Sequence, residues 1–405
     1  MLKIGIIKEG KTPPDERVPL IPEQCKFIKE NFDGIEIKVQ SSNVRRIKDK
    51  EYIDAGIDVV KDISDSEVLF GVKEVPIDDL IAGKTYFYFS HTIKKQPYNR
   101  KLLQAMLAKN ITMIDWETLK DKNGNRIIGF GKYAGIVGCY NTLLAYGKFS
   151  ASYDLKRAYL CNDKKEVEKE LTKVQLPGNF KIILTGGGRV ATGAMEILDY
   201  LKIKKVSAED ILNNSYDEPV YAQLHVTDYY KRIDGQPFTN QEFYNNPSGY
   251  VSDFMKYAQV CDMYLACHFW DEKAPFIFTK EDVANPKFKI KFVGDISCDI
   301  DGPIACTIRP STVKEPFYGY HKKEFIETEP KIADDTIIVM AVDNLPCELP
   351  RDASKDFGNE IINKVLPQFF NGDKDKILEK ATICKNGQLT PYYSFLQDYV
   401  DEVTV

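Results

Sequence analysis

The residue pattern with the most specific chemistry is KIILTGGGRVATGAMEIL, residues 181–198. An apolar run enters Gly186, Gly187 and Gly188, continues through Arg189, Val190, Ala191 and Thr192 to Gly193, and then turns helical. A strand, a glycine turn and a helix in this order suit a diphosphate. Glycines let the backbone turn tightly and bring N–H groups close to the anion, and the helix N-terminus adds unpaired donors. Ala191 stands where the third glycine of GxGxxG usually falls, an accepted variant. The bland alternative is a glycine-rich turn that binds nothing. Arg189 is read as covering the diphosphate or a 2′-phosphate, or as a solvated surface arginine.

A second set of chemically capable side chains lies in the first 130 residues, each just past an apolar run: Arg17 in PPDERVPL, Lys73 in GVKEVP, His91 with Gln96 in SHTIKKQ, and Arg126 with Phe130 in GNRIIGFG. Ligand sites of open parallel sheets gather at strand carboxyl ends, so this placement carries information. Partial burial lowers a lysine's pKa and fits Lys73 for proton transfer, and an imidazole beside it is a suitable acid. Taken singly, Arg17 also reads as a surface ion pair, Arg126 as a turn residue and Gln96 as a helix start.

The elements that must position these groups alternate. KIGIIK (3–8), GIEIKVQ (34–40), SEVLFGV (66–72), KTYFYFS (84–90) and ITMIDWE (111–117) read as strands, with helices over 22–31 and 102–109. Residues 131–150 predict one long helix of small and apolar residues that could pass between domains, and 151–178 a charged loop. A second series of parallel strands is expected in 180–185, 262–269, 289–297 and 336–343, followed by a return to helix at 356–370. Strands alternating with helices imply βαβ units. The expected architecture is α/β: two Rossmann-like, doubly wound parallel-sheet domains with an interdomain cleft. One comprises residues 1–130 plus 350–405 and carries substrate and catalytic groups; the other, 131–349, binds the dinucleotide.

Composition narrows the class. The chain has 405 residues with 43% hydrophobic and 28% charged, which fits globular domains. A net charge of −5 gives no cationic field for nucleic acid or an anionic membrane. No apolar run is long enough for a membrane helix, and the start lacks the features of a signal peptide. Nine cysteines, an odd number and with no CxxC pair, indicate reduced thiols and a cytoplasmic setting. Four histidines without metal-ligand spacing argue against a metal.

GVKEVP, KTYFYFSHTIKKQ, IDWETLKDKNGNRIIGFGKYAG, GDISCDIDG and VDNLPCELPRDAS resemble lysine–2-oxoglutarate reductase, the saccharopine-forming domain of aminoadipate semialdehyde synthase. They are similar, less closely, to stand-alone lysine-forming saccharopine dehydrogenase. KIGIIKEGKTPPDERVPLIPE resembles the wider alanine dehydrogenase and transhydrogenase superfamily. The likeness runs from residue 3 to about 400. It leaves no room for a saccharopine-cleaving domain, so a reductase half standing alone is expected.

The resemblance implies a reversible reductive amination joining lysine and 2-oxoglutarate into saccharopine through an imine, with hydride from NAD or NADP. It makes Lys73 the base and His91 the acid, and gives Arg17, Gln96, Arg126 and Phe130 to the substrate. Gly188 and Arg189 match the cofactor-loop pair, and Phe269 falls where stand-alone enzymes have a tyrosine near the cofactor. Asp295, Ser297 and Asp299 fall beside substrate and nicotinamide, and Val342, Asp343, Asn344 and Leu345 in a loop over the nicotinamide. Asn125 replaces a second arginine, and Val190 a cysteine that pairs with the one matching Cys267, so no disulfide is expected there. The implied partners are small molecules, with the chain a monomer or homo-oligomer.

For NAD, the second strand of the dinucleotide fold should end in an acid. The region 205–219 offers Glu209, Asp210 and Asn213, with Asp228 beyond, but no apolar strand ending in one of them, so NAD and NADP both stay open. Two rival readings remain: an alanine or other amino-acid dehydrogenase using ammonia, and a non-catalytic dinucleotide-binding regulatory protein.

Overall fold

The computed structural model describes residues 1–402; the last three, 403–405, lie outside the described residues. The chain divides into two compact units, Met1–Phe130 with Pro350–Val405 and Gly131–Leu349.

In the first unit, strands β1 (Leu2–Ile6), β2 (Ile35–Gln40), β3 (Asp58–Val60), β4 (Val68–Phe70), β5 (Thr85–Tyr88) and β6 (Thr112–Asp115) form a parallel array in the order β6-β5-β4-β1-β2-β3. The period of two assigns side chains to faces. Ile4, Ile6, Phe70, Phe87 and Ile114 enter one core cluster with Trp116, Phe357 and Ile361. Leu69, Tyr86, Tyr88 and Met113 enter another with Leu102 and Met106 from helix Pro97–Ala108. Both faces are therefore covered, which is why the central strands read as continuous apolar runs. In β2 buried and half-buried residues alternate instead.

The second unit has its own eight-stranded sheet. Strands β7 (Lys181–Thr185), β8 (Lys204–Val206), β9 (Val220–Leu224), β12 (Met263–Ala266), β13 (Phe292–Asp295) and β16 (Thr336–Met340) are parallel. Strands β14 (Phe317–His321) and β15 (Glu327–Thr328) extend the sheet antiparallel beyond β16. A separate hairpin, β10 (Tyr230–Arg232) with β11 (Tyr250–Ser252), is inserted between β9 and β12. The order β16-β13-β12-β7-β9-β8 reverses direction between β7 and β12, a switch point that opens a crevice at the carboxyl ends. Among the described residues no helix is long and apolar enough to cross a membrane.

The fold is the doubly wound α/β class read from the sequence, with three local differences. Residues 164–171 form a helix within the expected loop: Asp163 accepts the Glu166 N–H at 3.0 Å, and Val167 and Leu171 are buried. The segment after 370 is not helical throughout. Strands β17 (Thr382–Lys385) and β18 (Gln388–Leu389) join the first sheet antiparallel, next to β6. In the second sheet the neighbour of β7 is β9, while β8, from the region 205–219 searched for the second strand, sits at the edge.

Candidate active site

The glycine turn of the second unit is built by close approach. Gly186 adopts φ +103°, and a Cβ there would meet the Cys267 carbonyl oxygen at 2.6 Å. Helix Arg189–Tyr200 then starts at once. A Cβ on its Gly193 would lie 1.9 Å from the Lys132 carbonyl oxygen, and one on Gly135 would lie 1.9 Å from that of Val190. Helix Gly131–Ser150 therefore lies backbone to backbone against helix Arg189–Tyr200 and fixes the turn. Gly193 serves this packing and does not line the pocket, unlike the ligand role read from the motif.

A pocket of about 810 Å³ opens where β7, β9, β12 and β13 end. Gly186, Gly188, Arg189 and Val190 supply one wall, and Phe269, Ser297 and Asp299 another. Phe269 is 91% exposed, a large apolar ring facing the opening. Ser297 donates to the His268 carbonyl at 2.6 Å and so joins the ends of β12 and β13. Asp295 lies beneath this surface, accepting from Thr307 Oγ1 at 2.7 Å and the Cys298 N–H at 3.0 Å. Burial pushes its carboxyl up to about 6 against those hydrogen bonds. Val342 and Leu345 are buried, Asp343 is exposed, and Asn344 begins the short helix Leu345–Glu348; none of these four lines this pocket.

Sequence reasoning missed several pocket residues. His225 and Val226 follow β9, Tyr229, Asn240 and Tyr244 come from the inserted segment, and His268 follows β12. His268 Nδ1 pairs with Thr185 Oγ1 at 2.8 Å, burial lowers its pKa to about 4, and Nε2 has no hydrogen-bond partner. Asn240 Oδ1 is also buried without a partner. Unpaired buried polar atoms in a pocket wall await a ligand or water. The visible signal was the aromatic density of 216–257.

The glycine cradle, the helix start behind it and these unpaired atoms fit a dinucleotide. The expected acids do not face it: Asp210 is tied to Ser207 Oγ at 2.7 Å on the edge-strand side, and neither Glu209 nor Asn213 lines the pocket.

In the first unit the chemistry also sits past strand ends. The backbone N–H groups of Val72 and Lys73 donate to Glu9 Oε1 and Oε2 at 2.7 and 2.9 Å, clamping the chain after β4 to the chain after β1. Burial raises the Glu9 carboxyl to about 8 although these donors oppose the shift. Burial, and then the Arg17 charge, lowers the Lys73 amine; Asp15 and Glu74 pull the other way. Arg17 is 2% exposed and gripped by Asp15 through two hydrogen bonds, Nε to Oδ1 at 2.9 Å and Nη2 to Oδ2 at 2.6 Å. Burial would raise the Asp15 carboxyl, but the guanidinium outweighs it and holds the group well below its usual range.

His91 follows β5 with φ 53°, a left-handed conformation that is costly for a non-glycine residue and frequent at functional sites. Ser90 fixes the turn, its N–H and hydroxyl donating to buried Asp115. His91 Nδ1 lies 2.5 Å from Glu74 Oε1, and Lys11 Nζ is 2.8 Å from Glu74 Oε2. Burial would raise the Glu74 carboxyl, but these two partners lower it to about 2. Phe89 stacks under His91 at 6.5 Å, and Arg126 lies 5.5 Å over the same Phe89 ring. Phe130 stacks on Phe357 at 4.3 Å and meets Arg17 on its other side. Lys73, His91, Arg17, Arg126 and Phe130 thus form one connected cluster. Gln96 occupies the N-cap position of helix Pro97–Ala108 without a side-chain capping bond; Tyr98 donates to its side chain and Tyr399 to its carbonyl.

Two dinucleotide-type α/β units, one with a cationic cluster and one with a glycine cradle, define the alanine dehydrogenase class of two-domain folds. Two solved structures share it at 16% identity: an L-alanine dehydrogenase (TM-score 0.63, covering 98% of this chain and 99% of that one) and a transhydrogenase from Sinorhizobium meliloti (TM-score 0.55, 96% and 98%). Residues 5–137 match the family "Alanine dehydrogenase/PNT, N-terminal domain". The mitochondrial alpha-aminoadipic semialdehyde synthase of Rattus norvegicus is 28% identical over 97% of this chain and 47% of its own length. The saccharopine dehydrogenase [NAD(+), L-lysine-forming] of Schizosaccharomyces pombe is 25% identical over 87% and 90%. The chain is thus similar over most of its length to oxidoreductases of lysine metabolism, and its residues 5–137 carry the alanine dehydrogenase/PNT N-terminal domain. It spans about half the length of the semialdehyde synthases it matches.

Proposed function

We propose that the chain is a nicotinamide-dependent oxidoreductase interconverting saccharopine with L-lysine and 2-oxoglutarate. The observation that carries this reading is the cluster in which a half-buried lysine of lowered pKa, a carboxylate-paired histidine and an orienting arginine follow neighbouring strands. The S. pombe relative, a lysine-forming saccharopine dehydrogenase, supports this reading.

The nicotinamide, when bound, supplies or accepts the hydride. The glycine turn and Arg189 would hold its diphosphate, with Phe269 and Ser297 lining the pocket beside it. Arg17 and Arg126 bind carboxylates of the dicarboxylic partner. Arg17 is preset for this by Asp15 and Phe130, so little side-chain entropy is lost when it engages. Lys73, whose neutral form burial favours, takes the proton from the substrate ammonium, and the freed amine attacks the ketone carbon to give a carbinolamine. His91 gives a proton to the departing hydroxyl, and Glu74 orients its ring through Nδ1. In this reading the first unit carries substrate chemistry and the second carries the dinucleotide.

The test is oxidation of reduced nicotinamide by the purified chain with 2-oxoglutarate plus lysine, beside pyruvate plus ammonia, each with NADH and NADPH. Turnover with the first pair alone is the expected result. Turnover with the second pair alone makes the chain an ammonia-using dehydrogenase. Turnover with neither, alongside intact dinucleotide binding, favours a regulatory protein.

A further inference from the structure

We infer that the corner of the second unit that would receive the adenosine ribose is built to accept a 2′-phosphate, with His225 as the specificity-determining residue. This rests on the dinucleotide reading of the pocket.

In folds of this kind the ribose meets the end of the strand beside the glycine strand, where an acid binds its hydroxyls and repels a 2′-phosphate. Here that strand is β9: its Leu224 faces Thr185, and the Leu224 carbonyl accepts the Gly186 N–H at 3.2 Å. The first residue past it is His225, which is exposed and lines the pocket. A Cβ built on Gly187 would lie 3.7 Å from its imidazole, so the ring stands directly beside the glycine turn. Asp228, the next carboxylate along the chain, turns back to accept the His225 N–H at 2.7 Å.

The same corner carries a cation. Gln223 lies two residues before His225 on extended chain and therefore shares its face. Its Nε2 donates to the Gly186 carbonyl at 2.9 Å, and its Oε1 accepts from Lys205 Nζ at 2.9 Å. Lys205 lies on edge strand β8, the strand that displaces the expected acids from the second-strand position. A 2′-phosphate placed there would meet the imidazole, with the Lys205 ammonium behind Gln223 just outside the pocket lining; both groups suit an anion.

Fluorescence titration of the full chain with NADPH and NADH, without substrate, tests this. NADPH binding at least as tightly as NADH is expected, and His225→Asp should weaken NADPH by about tenfold or more while leaving NADH near its original affinity. Lys205→Gln should weaken NADPH selectively, by a smaller factor. A wild-type chain that prefers NADH tenfold overturns the inference and leaves the dinucleotide reading standing, as does an unchanged NADPH-to-NADH ratio in His225→Asp. Equal loss of both nucleotides in that variant gives His225 a general role and also overturns it. Binding of neither by the wild type removes the dinucleotide reading and this inference together.

Discussion

The guanidinium of Arg17 lies 4.1 Å over the ring of Phe130, while Asp15 holds its Nε and Nη2 from the side. A cation fixed on two sides with almost no exposure has one orientation to offer a substrate carboxylate. Arg17→Ala should raise the KM for the dicarboxylic substrate about a hundredfold and leave dinucleotide affinity within about twofold. Parallel losses of both, with a lowered melting temperature, would instead mean that the first unit has lost its structure.

Removing the other partner probes stability. Asp15→Ala leaves the Arg17 charge buried without its carboxylate, which should cost about 3–5 kcal/mol in denaturant unfolding. A loss under 1 kcal/mol would show that the pair contributes little to the fold.

Lys73 is the second site to test. Lys73→Met should reduce turnover by about a hundredfold or more while the chain still binds its dinucleotide. Because burial and Arg17 lower the amine's pKa, the proton loss that activates the wild type should fall below the 10.5 of an ordinary lysine. That limb should vanish from the pH profile of the variant, and full retained activity would take Lys73 out of the chemistry.

Helix packing at the glycine turn gives a prediction independent of function. Gly193→Ala drives a methyl into the Lys132 carbonyl, 1.9 Å from its ideal position. The second unit should lose about 2–3 kcal/mol or more, and dinucleotide binding should weaken with it as the turn shifts. Unchanged calorimetric stability would contradict the backbone contact described between the two helices.

Glu348 gives a pH test. It is fully buried and accepts from Asn141 Nδ2 at 2.8 Å, and burial raises its carboxyl to about 7. A raised carboxyl favours the protonated form in the fold. Its contribution is therefore greatest below 4.5, declines as pH rises from 4.5 to about 7, and is level above that. The decline amounts to ~3 kcal/mol. Glu348→Gln should remove this part of the pH dependence, so that variant and wild type diverge most above pH 7 in chemical denaturation.

Much of this was legible in the sequence because local patterns and tertiary structure agree. Strands such as FKIIL and VLFGV are buried on both faces, so their apolar runs announced them. The glycine turn was readable because Gly186 occupies a conformation few other residues adopt. At Gly193 a ligand contact and a helix–helix contact demand the same absence of Cβ, so the motif alone does not tell them apart. Strand β9 stayed hidden because register decides which of two short strands sits beside β7, and YAQLH lacks a clean alternation. His225 stayed hidden with it. Glu9 was out of reach because its partners, Val72 and Lys73, lie more than sixty residues along the chain and meet it only through strand pairing.

The two strands that close the first sheet on its β6 side come from residues 382–389, and Phe357, Ile361, Val365 and Leu366 complete a core begun by Ile4 and Ile6. A ribosome emitting this chain releases every residue of the second unit before those pieces appear. The segment translated first must therefore wait, half-assembled and with apolar surface uncovered, while the segment translated after it already has all it needs to fold. Chaperone dependence during synthesis should fall most heavily on the opening 130 residues.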